Sequence, residues 1–383
     1  MSERTFPRTA FLGALAVAST AFAPTPLTAP GVSFAKVVLD TRFVAEGAAI
    51  GDVNRDGKPD ILAGNIWYQA PDWKPHDIAP YVPIDLKRAY SNSFHNWASD
   101  LNHDGWVDQI VIGMPGEKAI WRENPKGEQR PWKEHLIWRS AGNESPHYED
   151  LFGNGKKVLV MAYDDNYLAW FEPAADPYAE WTCHNVSELK GAGSQRYSHG
   201  LGVGDIDGDG RNEILTMAGY YTAPKGSWSF VKADLGSDCA HMPVVDLNGD
   251  NRPDVLSTSA HARGTWWFER LAAGGFTRHV IDETISVTHS AKLVPLGKAK
   301  AMNLITGKRK WGHPPGVDVG SEEPCWLVRY ELVRSGNKVE WVRHIIDEDS
   351  GAGTQIVTED VDGNKLLDIV TANKNGVFLF RQR

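Results

Sequence analysis

One pattern recurs along most of the chain, and it constrains the fold more than any other feature. A short apolar run leads into an Asp-x-Asx-x-Asx-Gly-x-x-Asp/Glu loop, which is followed by a second apolar run and then by an aromatic one. The clearest copies are DVNRDGKPD, DLNHDGWVD, DIDGDGRNE, DLNGDNRPD and DVDGNKLLD, which begin at Asp52, Asp100, Asp205, Asp246 and Asp360. Two degenerate copies begin at Asp150 and Pro295, so the pattern occurs seven times.

The spacing of the repeat predicts a β-propeller. Successive copies start 41 to 65 residues apart, and a period of roughly 40–50 residues with several short strands is typical of a propeller blade. In the first unit, the pattern predicts strands at 48–53, 60–63, 66–69 and near 76–78. We therefore predict an all-β fold: a single seven-bladed β-propeller of four-stranded blades over residues 34–383.

The two ends of this region predict how the ring closes. The segment FAKVVLD at 34–40 matches the fourth strand of a unit but precedes the first unit, whereas 376–381 match the third strand of the last unit. Pairing these segments would complete the seventh blade with the N-terminal strand. Closure removes the open sheet edges that otherwise invite aggregation.

The N-terminal residues predict export. Residues 1–23 combine Arg4 and Arg8 with an apolar stretch that ends in small residues, as in a secretory signal. Residues 24–33 contain three prolines and are predicted to be a linker. We therefore expect a secreted protein, periplasmic or extracellular. No later apolar run approaches the roughly 18–20 residues that a membrane-spanning helix needs.

Charge and motifs exclude several functions. The net charge of -9 argues against nucleic-acid binding, because such proteins present a basic face to phosphates. The three cysteines permit at most one disulfide, and no pairing is indicated. The chain has no Gly-x-Ser-x-Gly elbow, phosphate loop, dinucleotide fingerprint or Cys-x-x-Cys motif, so these enzyme classes are unsupported.

The Asp-rich loops and the strands around them resemble FG-GAP or VCBS-type repeats, which form the blades of the integrin α-subunit propeller and of many secreted bacterial proteins. The resemblance covers roughly residues 34–383. It implies the propeller fold but leaves the function open, because propellers serve adhesion, binding and catalysis.

Oxygen ligands at loop positions 1, 3, 5 and 9 suit Ca²⁺, which takes several oxygens at once. Crowded carboxylates would also repel one another without a cation. The alternative is an Asx turn whose side chains bond only to the backbone. If they bind Ca²⁺, the loops are expected to hold it in a structural role. The predicted ligands are Asp52, Asn54, Asp56, Asp60, Asp100, Asn102, Asp104, Asp108, Asp205, Asp207, Asp209, Glu213, Asp246, Asn248, Asp250, Asp254, Asp360, Asp362, Asn364 and Asp368.

Histidines recur just before the first strand of five units. Because the first strand of a blade is innermost, we expect its entry residues to surround the propeller axis. Loops that join second to third strands return to the same face and carry further basic residues. The entry histidines are His95, His147, His199, His241 and His289, with Glu46 and Gln355 at the matching places of the other two units. The loop residues include His261, Lys308, Arg309, His313 and Lys374.

Such a funnel suits β-elimination on an anionic carbohydrate. This reaction needs a cation on the carboxylate, a base and an acid. The funnel is similar to those of propeller polysaccharide lyases and aldosulose dehydratases, a resemblance in architecture and residue type. We predict catalytic roles for His199, His241, His289, Arg309 and Lys308, and substrate binding by His95, His147, Tyr197, His261, His313 and Lys374. An additional divalent metal on the axis is a further prediction.

Two other classes stay open. A non-catalytic binding or adhesion module would use the same basic funnel and would stack sugars on some of the 15 Trp residues, without needing neutral histidines. A glycosidase would need two opposed carboxylates. Asp164 and Asp165 are available, but they are adjacent on one loop.

Overall fold

In the computed structural model, residues 31–223, 226–236 and 238–383 are described, and the elements that they form are 28 β-strands. The predicted export signal at 1–23 and most of the linker lie outside these residues. The strands of blades 1 to 3 are β2 (Ala49–Gly51), β3 (Asp60–Ala63), β4 (Ile66–Gln69), β5 (Lys74–Asp77), β6 (His95–Ser99), β7 (Asp108–Ile112), β8 (Ala119–Glu123), β9 (Lys133–Trp138), β10 (His147–Glu149), β11 (Val158–Tyr163), β12 (Tyr167–Glu172) and β13 (Thr182–Asn185).

Blades 4 to 7 follow the same order. Their strands are β14 (Gly202–Gly204), β15 (Glu213–Thr216), β16 (Gly219–Thr222), β17 (Ser229–Lys232), β18 (Val244–Val245), β19 (Asp254–Thr258), β20 (Arg263–Arg270), β21 (Phe276–Ser286), β22 (Ala291–Leu296), β23 (Ala301–Gly307), β24 (Leu327–Ser335), β25 (Lys338–Asp347), β26 (Ile356–Glu359), β27 (Asp368–Asn373), β28 (Gly376–Gln382) and β1 (Phe34–Asp40).

The strands form seven four-stranded antiparallel sheets, so the predicted seven-bladed propeller is confirmed. The seventh sheet has the order β1-β28-β27-β26, with Phe34 opposite Gln382. The N-terminal strand therefore closes the ring, as predicted. First strands contact first strands of neighbouring blades, for example β2 with β6 and β26, which places them innermost.

Chain direction gives the propeller two different faces. The Asp-rich loops join first to second strands and therefore lie on one face, which we call the loop face. The entries to the first strands and the loops that join second to third strands lie on the opposite face, called here the entry face. Among the described residues, no helix is long and apolar enough to span a membrane.

The blades are held together by apolar side chains between adjacent sheets and by a repeated aromatic contact near the rim. In four blades, a tryptophan of the third strand stacks on a histidine of the fourth, with ring centroids 3.8 to 4.4 Å apart. The pairs are Trp67–His76, Trp121–His135, Trp170–His184 and Trp267–His279. In three of them a glutamate accepts a hydrogen bond from, or pairs with, the histidine. These rim histidines are thus structural.

Candidate functional site

Four histidines from three blades form a continuous group on the entry face, called here the axial cluster: His199, His261, His289 and His313. The centroid of the His261 ring lies 4.8 Å from that of His199, 4.9 Å from that of His289 and 4.4 Å from that of His313. His199 and His289 precede β14 and β22, whereas His261 and His313 lie in the loops after β19 and β23. The ring of blades therefore gathers residues that are up to 114 positions apart in the chain.

His289 is the most enclosed member of the axial cluster. Its side chain is 1% exposed, and neither imidazole nitrogen has a hydrogen-bond partner among the described residues. Burial first, and then the charge of Arg309, lowers the pKa of His289 well below its usual value, so the ring is neutral at pH 7. Leaving buried polar nitrogens unpaired is costly. The arrangement therefore points to a ligand on these nitrogens.

Three further histidines form a second layer deeper along the axis, called here the inner layer. His95 and His241 share a hydrogen bond of 3.3 Å between their Nε2 atoms, and His147 lies 5.4 Å from His241 between centroids. Both nitrogens of His147 have acceptors nearby, with Nδ1 2.7 Å from Glu149 and Nε2 3.0 Å from the Leu201 carbonyl. Burial lowers the pKa of His95 to about 3 and that of His241 well below its usual value. Repulsion by the neighbouring histidines is the smaller cause of both shifts.

Glu144 belongs to the site although sequence reasoning did not single it out. Its Oε2 lies 3.4 Å from His199 Nε2 and 3.5 Å from Arg309 Nη1. Burial opposes its ionisation, but the contacts with His199 and Arg309 hold the pKa of Glu144 at about 2. Glu144 stands six residues before its loop at Asp150, the offset that His199 and Asp205 also have. Glu144 could therefore have been found from this six-residue spacing, although it is not a histidine.

Arg309 does not have the surroundings of a substrate clamp. Its side chain is 1% exposed, its Nε donates to Glu46 Oε2 at 2.5 Å, and its Nη1 faces Glu144. The rings of Phe94 and Tyr90 lie beside the guanidinium at 5.2 and 5.7 Å. Two carboxylates thus already match its charge, which corrects the expectation of a carboxylate-binding arginine. Arg309 instead joins blade 6 to blades 1 and 3.

Three histidines of the axial cluster are close enough together to hold a metal ion. One ring nitrogen each of His199, His261 and His289 lies within 4.8 Å of the other two. Glu144 backs His199, and Asp318 Oδ1 lies 3.6 Å from His261 Nδ1. Carboxylates that orient histidines are the usual surroundings of metal-binding imidazoles. Nitrogen ligands of this kind suit zinc and related divalent transition metals.

His313 lies at the outer end of the cluster, in contact with Asp318. Its Nδ1 is 2.7 Å from Asp318 Oδ1, and the Asp318 carboxylate also accepts the His313 backbone N–H. Burial opposes ionisation of Asp318, but its hydrogen bonds with His261 and His313 lower its pKa below the usual range. The opposite ring nitrogen, Nε2, remains available to a ligand. There is no room for a side chain at Gly312, because an added Cβ would lie 2.9 Å from His289 Cε1.

Tyr90 supplies a phenol beside this pair. Its hydroxyl donates to the Gly312 carbonyl at 2.9 Å, next to His313 in the chain, and Lys374 Nζ lies 4.7 Å from its ring centroid. Burial raises the pKa of Tyr90, so the hydroxyl is protonated at neutral pH. Sequence reasoning missed Tyr90, which lies in the long connection before blade 2 and outside the repeat.

The remaining predicted site residues lie around or outside the cluster. Lys374 is buried and donates to the Trp311 carbonyl at 2.9 Å. Lys308 is also buried, its amine has no hydrogen-bond partner among the described residues, and burial lowers its pKa. Tyr197 is 44% exposed and stands two residues before His199, and its substrate-binding role stays a prediction. Its backbone N–H bonds to the Gly142 carbonyl at 2.8 Å.

The two adjacent aspartates considered for a glycosidase are held in separate surface ion pairs. Asp164 pairs with Arg139 and Asp165 with Arg196, each at 2.7 Å. They do not form an opposed carboxylate pair. The three cysteines are free thiols, so no disulfide crosses the propeller.

The Asp-rich loops lie on the loop face, away from the axial cluster. The first aspartate of each accepts backbone N–H groups of its own loop, as Asp52 does from Asp56 and Gly57. The degenerate loop at Asp150 makes the same bonds to Asn154 and Gly155. These are Asx-turn bonds, and they form with or without a complete set of acids. In two loops three carboxylates also converge within 4.8 Å: Asp205, Asp207 and Glu213, and Asp360, Asp362 and Asp368.

We predict that Ca²⁺ stabilises these two loops more at pH 7.5 than at about pH 5. Burial raises the pKa of Glu213 to about 7 and that of Asp368 to about 6, so protons compete with Ca²⁺ at low pH. The thermal midpoint with Ca²⁺ and with chelator measures the gain at each pH. Glu213→Gln should reduce the gain, whereas Asp150→Asn, in a degenerate loop, should not. A gain that is equal at both pH values would contradict the prediction.

The chain matches no protein-family model and no curated protein. Among solved structures it is similar to the N-terminal region of BBS1 in complex with ARL6, with 11% identity and a TM-score of 0.51 over 91% of this chain and 96% of that one. It is also similar to an Agrocybe aegerita lectin that recognises non-reducing terminal N-acetylglucosamine (16% identity, TM-score 0.48, 90% and 86% covered). A third is Bap1, a V. cholerae biofilm matrix protein (12%, 0.45, 89% and 88%). At these identities the likeness concerns the fold alone.

Proposed function

We propose that the protein is a carbohydrate-active lyase or dehydratase that performs β-elimination on an acidic sugar at the axial cluster. The observation that carries this proposal is the neutral, fully buried His289 with two unpaired nitrogens beside His199 and His261. Such a group is suited to hold a cation at a site that also presents a base and an acid. The substrate is expected to enter from the entry face, where His313 is accessible.

His199, His261 and His289 are proposed to hold a divalent metal. When bound, the metal would supply the positive charge that neutralises the substrate carboxylate and acidifies the neighbouring C–H bond. This role replaces the one first expected of Arg309, whose charge is matched by Glu46 and Glu144. Glu144 and Asp318 would keep the imidazoles oriented.

His313 is proposed as the base. It would remove the proton from the carbon next to the carboxylate, and Asp318 would hold its ring in place and stabilise the imidazolium that forms. The electron pair of the C–H bond becomes a carbon–carbon double bond, and the bond to the β-oxygen breaks. Tyr90 is proposed to give its proton to that departing oxygen. The inner layer of His95, His147 and His241 would form the floor of the site.

The export and repeat-type predictions complete the proposal. We propose that the blades are FG-GAP/VCBS-type repeats whose loops bind structural Ca²⁺, and that residues 1–23 direct secretion to a compartment where acidic polysaccharides occur. The recurrent loop pattern and the apolar N-terminal stretch support these assignments. Fractionation of the native host, with and without residues 1–23, tests the second one.

The test is incubation with a panel of acidic polysaccharides and oligosaccharides in the presence of Zn²⁺ or Mn²⁺. Elimination creates an unsaturated uronate, and its conjugated double bond is followed by ultraviolet absorbance. We expect one class of substrate to give a rise that His289→Ala abolishes and His103→Asn retains, because His103 lies exposed on the loop face. If acidic sugars bind but none is cleaved, the protein is a glycan-binding module instead.

A further inference from the structure

A second candidate binding site lies at the rim between blades 1 and 2, remote from the axial cluster in the fold. The loop that joins β8 to β9 folds back along the outer strands of blade 1. There the backbone N–H of Trp132 donates to the Ile78 carbonyl at 2.9 Å. The two elements enclose a cleft of about 480 Å³. This volume falls within the roughly 300–1,000 Å³ of typical small-molecule sites.

Three tryptophans line this cleft, which we call the indole cleft: Trp67 from β4, Trp106 from the second Asp-rich loop and Trp132. None of the three indole N–H groups bonds to another described residue, and none is buried away from solvent. These solvent-facing donors are available to the hydroxyl groups of a ligand, because an indole offers an apolar face and a polar N–H at its edge. Five other tryptophans of the described chain have indole nitrogens that are enclosed and out of reach of a ligand: Trp121, Trp138, Trp266, Trp267 and Trp341.

The indoles are held in place without a ligand. Trp67 is stacked on His76 with centroids 4.3 Å apart, and the Arg55 guanidinium lies 5.5 Å from the Trp106 ring. Trp132 is 6% exposed and packs with Leu62 and other residues between the blades. These tryptophans are therefore already ordered, and binding of a ligand would cost little side-chain conformational entropy.

Polar groups surround these walls. Asp77, Glu128, Gln129 and Arg130 line the cleft, and Glu128 and Arg130 pair with each other at 2.8 Å. After this pairing, Asp77 is the lining residue whose charge is left, and the Arg55 guanidinium lies nearby beside Trp106, so the cleft has no excess of positive charge that would select an anion. Indole faces next to hydrogen-bonding side chains suit a pyranose ring, whose C–H groups pack on the aromatic surface while its hydroxyls bond at the edges.

We propose that the indole cleft binds an uncharged sugar residue of a glycan, separately from the acidic sugar assigned to the axial cluster. This inference does not depend on the proposed elimination reaction. It assigns a role to some of the tryptophans that the axial site leaves unused. A glycan that contains both neutral and acidic residues would be able to occupy both sites.

The test is isothermal titration calorimetry of the full chain with cellotetraose, xylotetraose, mannotetraose, chitotetraose and tetragalacturonate. We expect binding of at least one neutral tetrasaccharide, at least a tenfold weaker affinity in Trp106→Ala, and retention in Trp106→Phe. Phe152→Ala removes an exposed aromatic ring on the loop face, outside the cleft. This variant should bind as the wild type does. His289→Ala should also leave this binding unchanged, which separates the cleft from the axial cluster.

Three outcomes would overturn the inference. These are the absence of binding by every neutral tetrasaccharide, an unchanged affinity in Trp106→Ala, or a loss of binding in His289→Ala alone. Because Trp106 lies in an Asp-rich loop, the thermal midpoint of each variant is measured in the same samples. Trp67→Ala provides a second variant if Trp106→Ala does not fold, and it should also bind at least tenfold more weakly.

Discussion

Arg309→Ala should lower the free energy of unfolding by roughly 3–5 kcal/mol, the range for removing one partner of a buried ion pair. The substitution leaves the buried carboxylates of Glu46 and Glu144 without their shared cation. Urea unfolding followed by tryptophan fluorescence measures the change. Glu46 is 0% exposed, so solvent would not replace the interaction with Arg309 that the substitution removes.

A double variant distinguishes an ion pair from simple packing. Arg309→Met combined with Glu46→Gln removes both charges of the closest pair and should be more stable than Arg309→Met alone. Arg130→Ala is the matched surface control, because Arg130 and Glu128 form an exposed pair that is worth less than about 1 kcal/mol. An Arg309→Ala variant that loses no more stability than Arg130→Ala would contradict the assignment of Arg309 as a structural cation.

His313→Ala should lower kcat by roughly 10²–10⁴-fold, the usual effect of removing a general base. The prediction follows from the proposed elimination and uses whichever acidic sugar the substrate panel identifies. Asp318→Asn should also lower kcat, because Asp318 holds the His313 ring and contacts His261. Steady-state rates and KM values for both variants provide the measurement.

The inner layer offers the matched control for this prediction. His147→Gln alters a partly buried histidine near the axis whose nitrogens already face Glu149 and the Leu201 carbonyl. It should reduce kcat much less than His313→Ala does. An equal loss in both variants, or full activity in His313→Ala, would show that His313 is not the base.

Much of the fold was predictable because the same pattern of strands and loops occurs in seven units of the sequence. The strands predicted at 60–63 and 66–69 coincide with β3 and β4, since Asp60 and the apolar run after it define where the second strand begins. Ring closure was predictable because the 34–40 segment lacked a partner within its own unit. The seven-bladed fold needed only this periodicity and the need to cover sheet edges.

The site was less predictable because its contacts join residues of different blades. Spacing within a unit placed His199 and His289 at the axis, but it did not show that Glu46 and Glu144 would neutralise Arg309. Tyr90 was missed because the connection in which it lies belongs to no repeat. Residue type alone also did not distinguish axial histidines from those of the fourth strands, which stack on tryptophan near the rim.

The most direct test of the axial metal is the metal content of the purified chain after exposure to Zn²⁺ and dialysis, measured by elemental analysis. We predict one equivalent of tightly held transition metal per chain, present in the wild type and in His103→Asn but lost in His289→Ala. Calcium held by the loops should be unaffected by His289→Ala, because those loops lie on the other face. A wild type that retains no transition metal, or a His289→Ala variant that retains as much as the wild type, would contradict it.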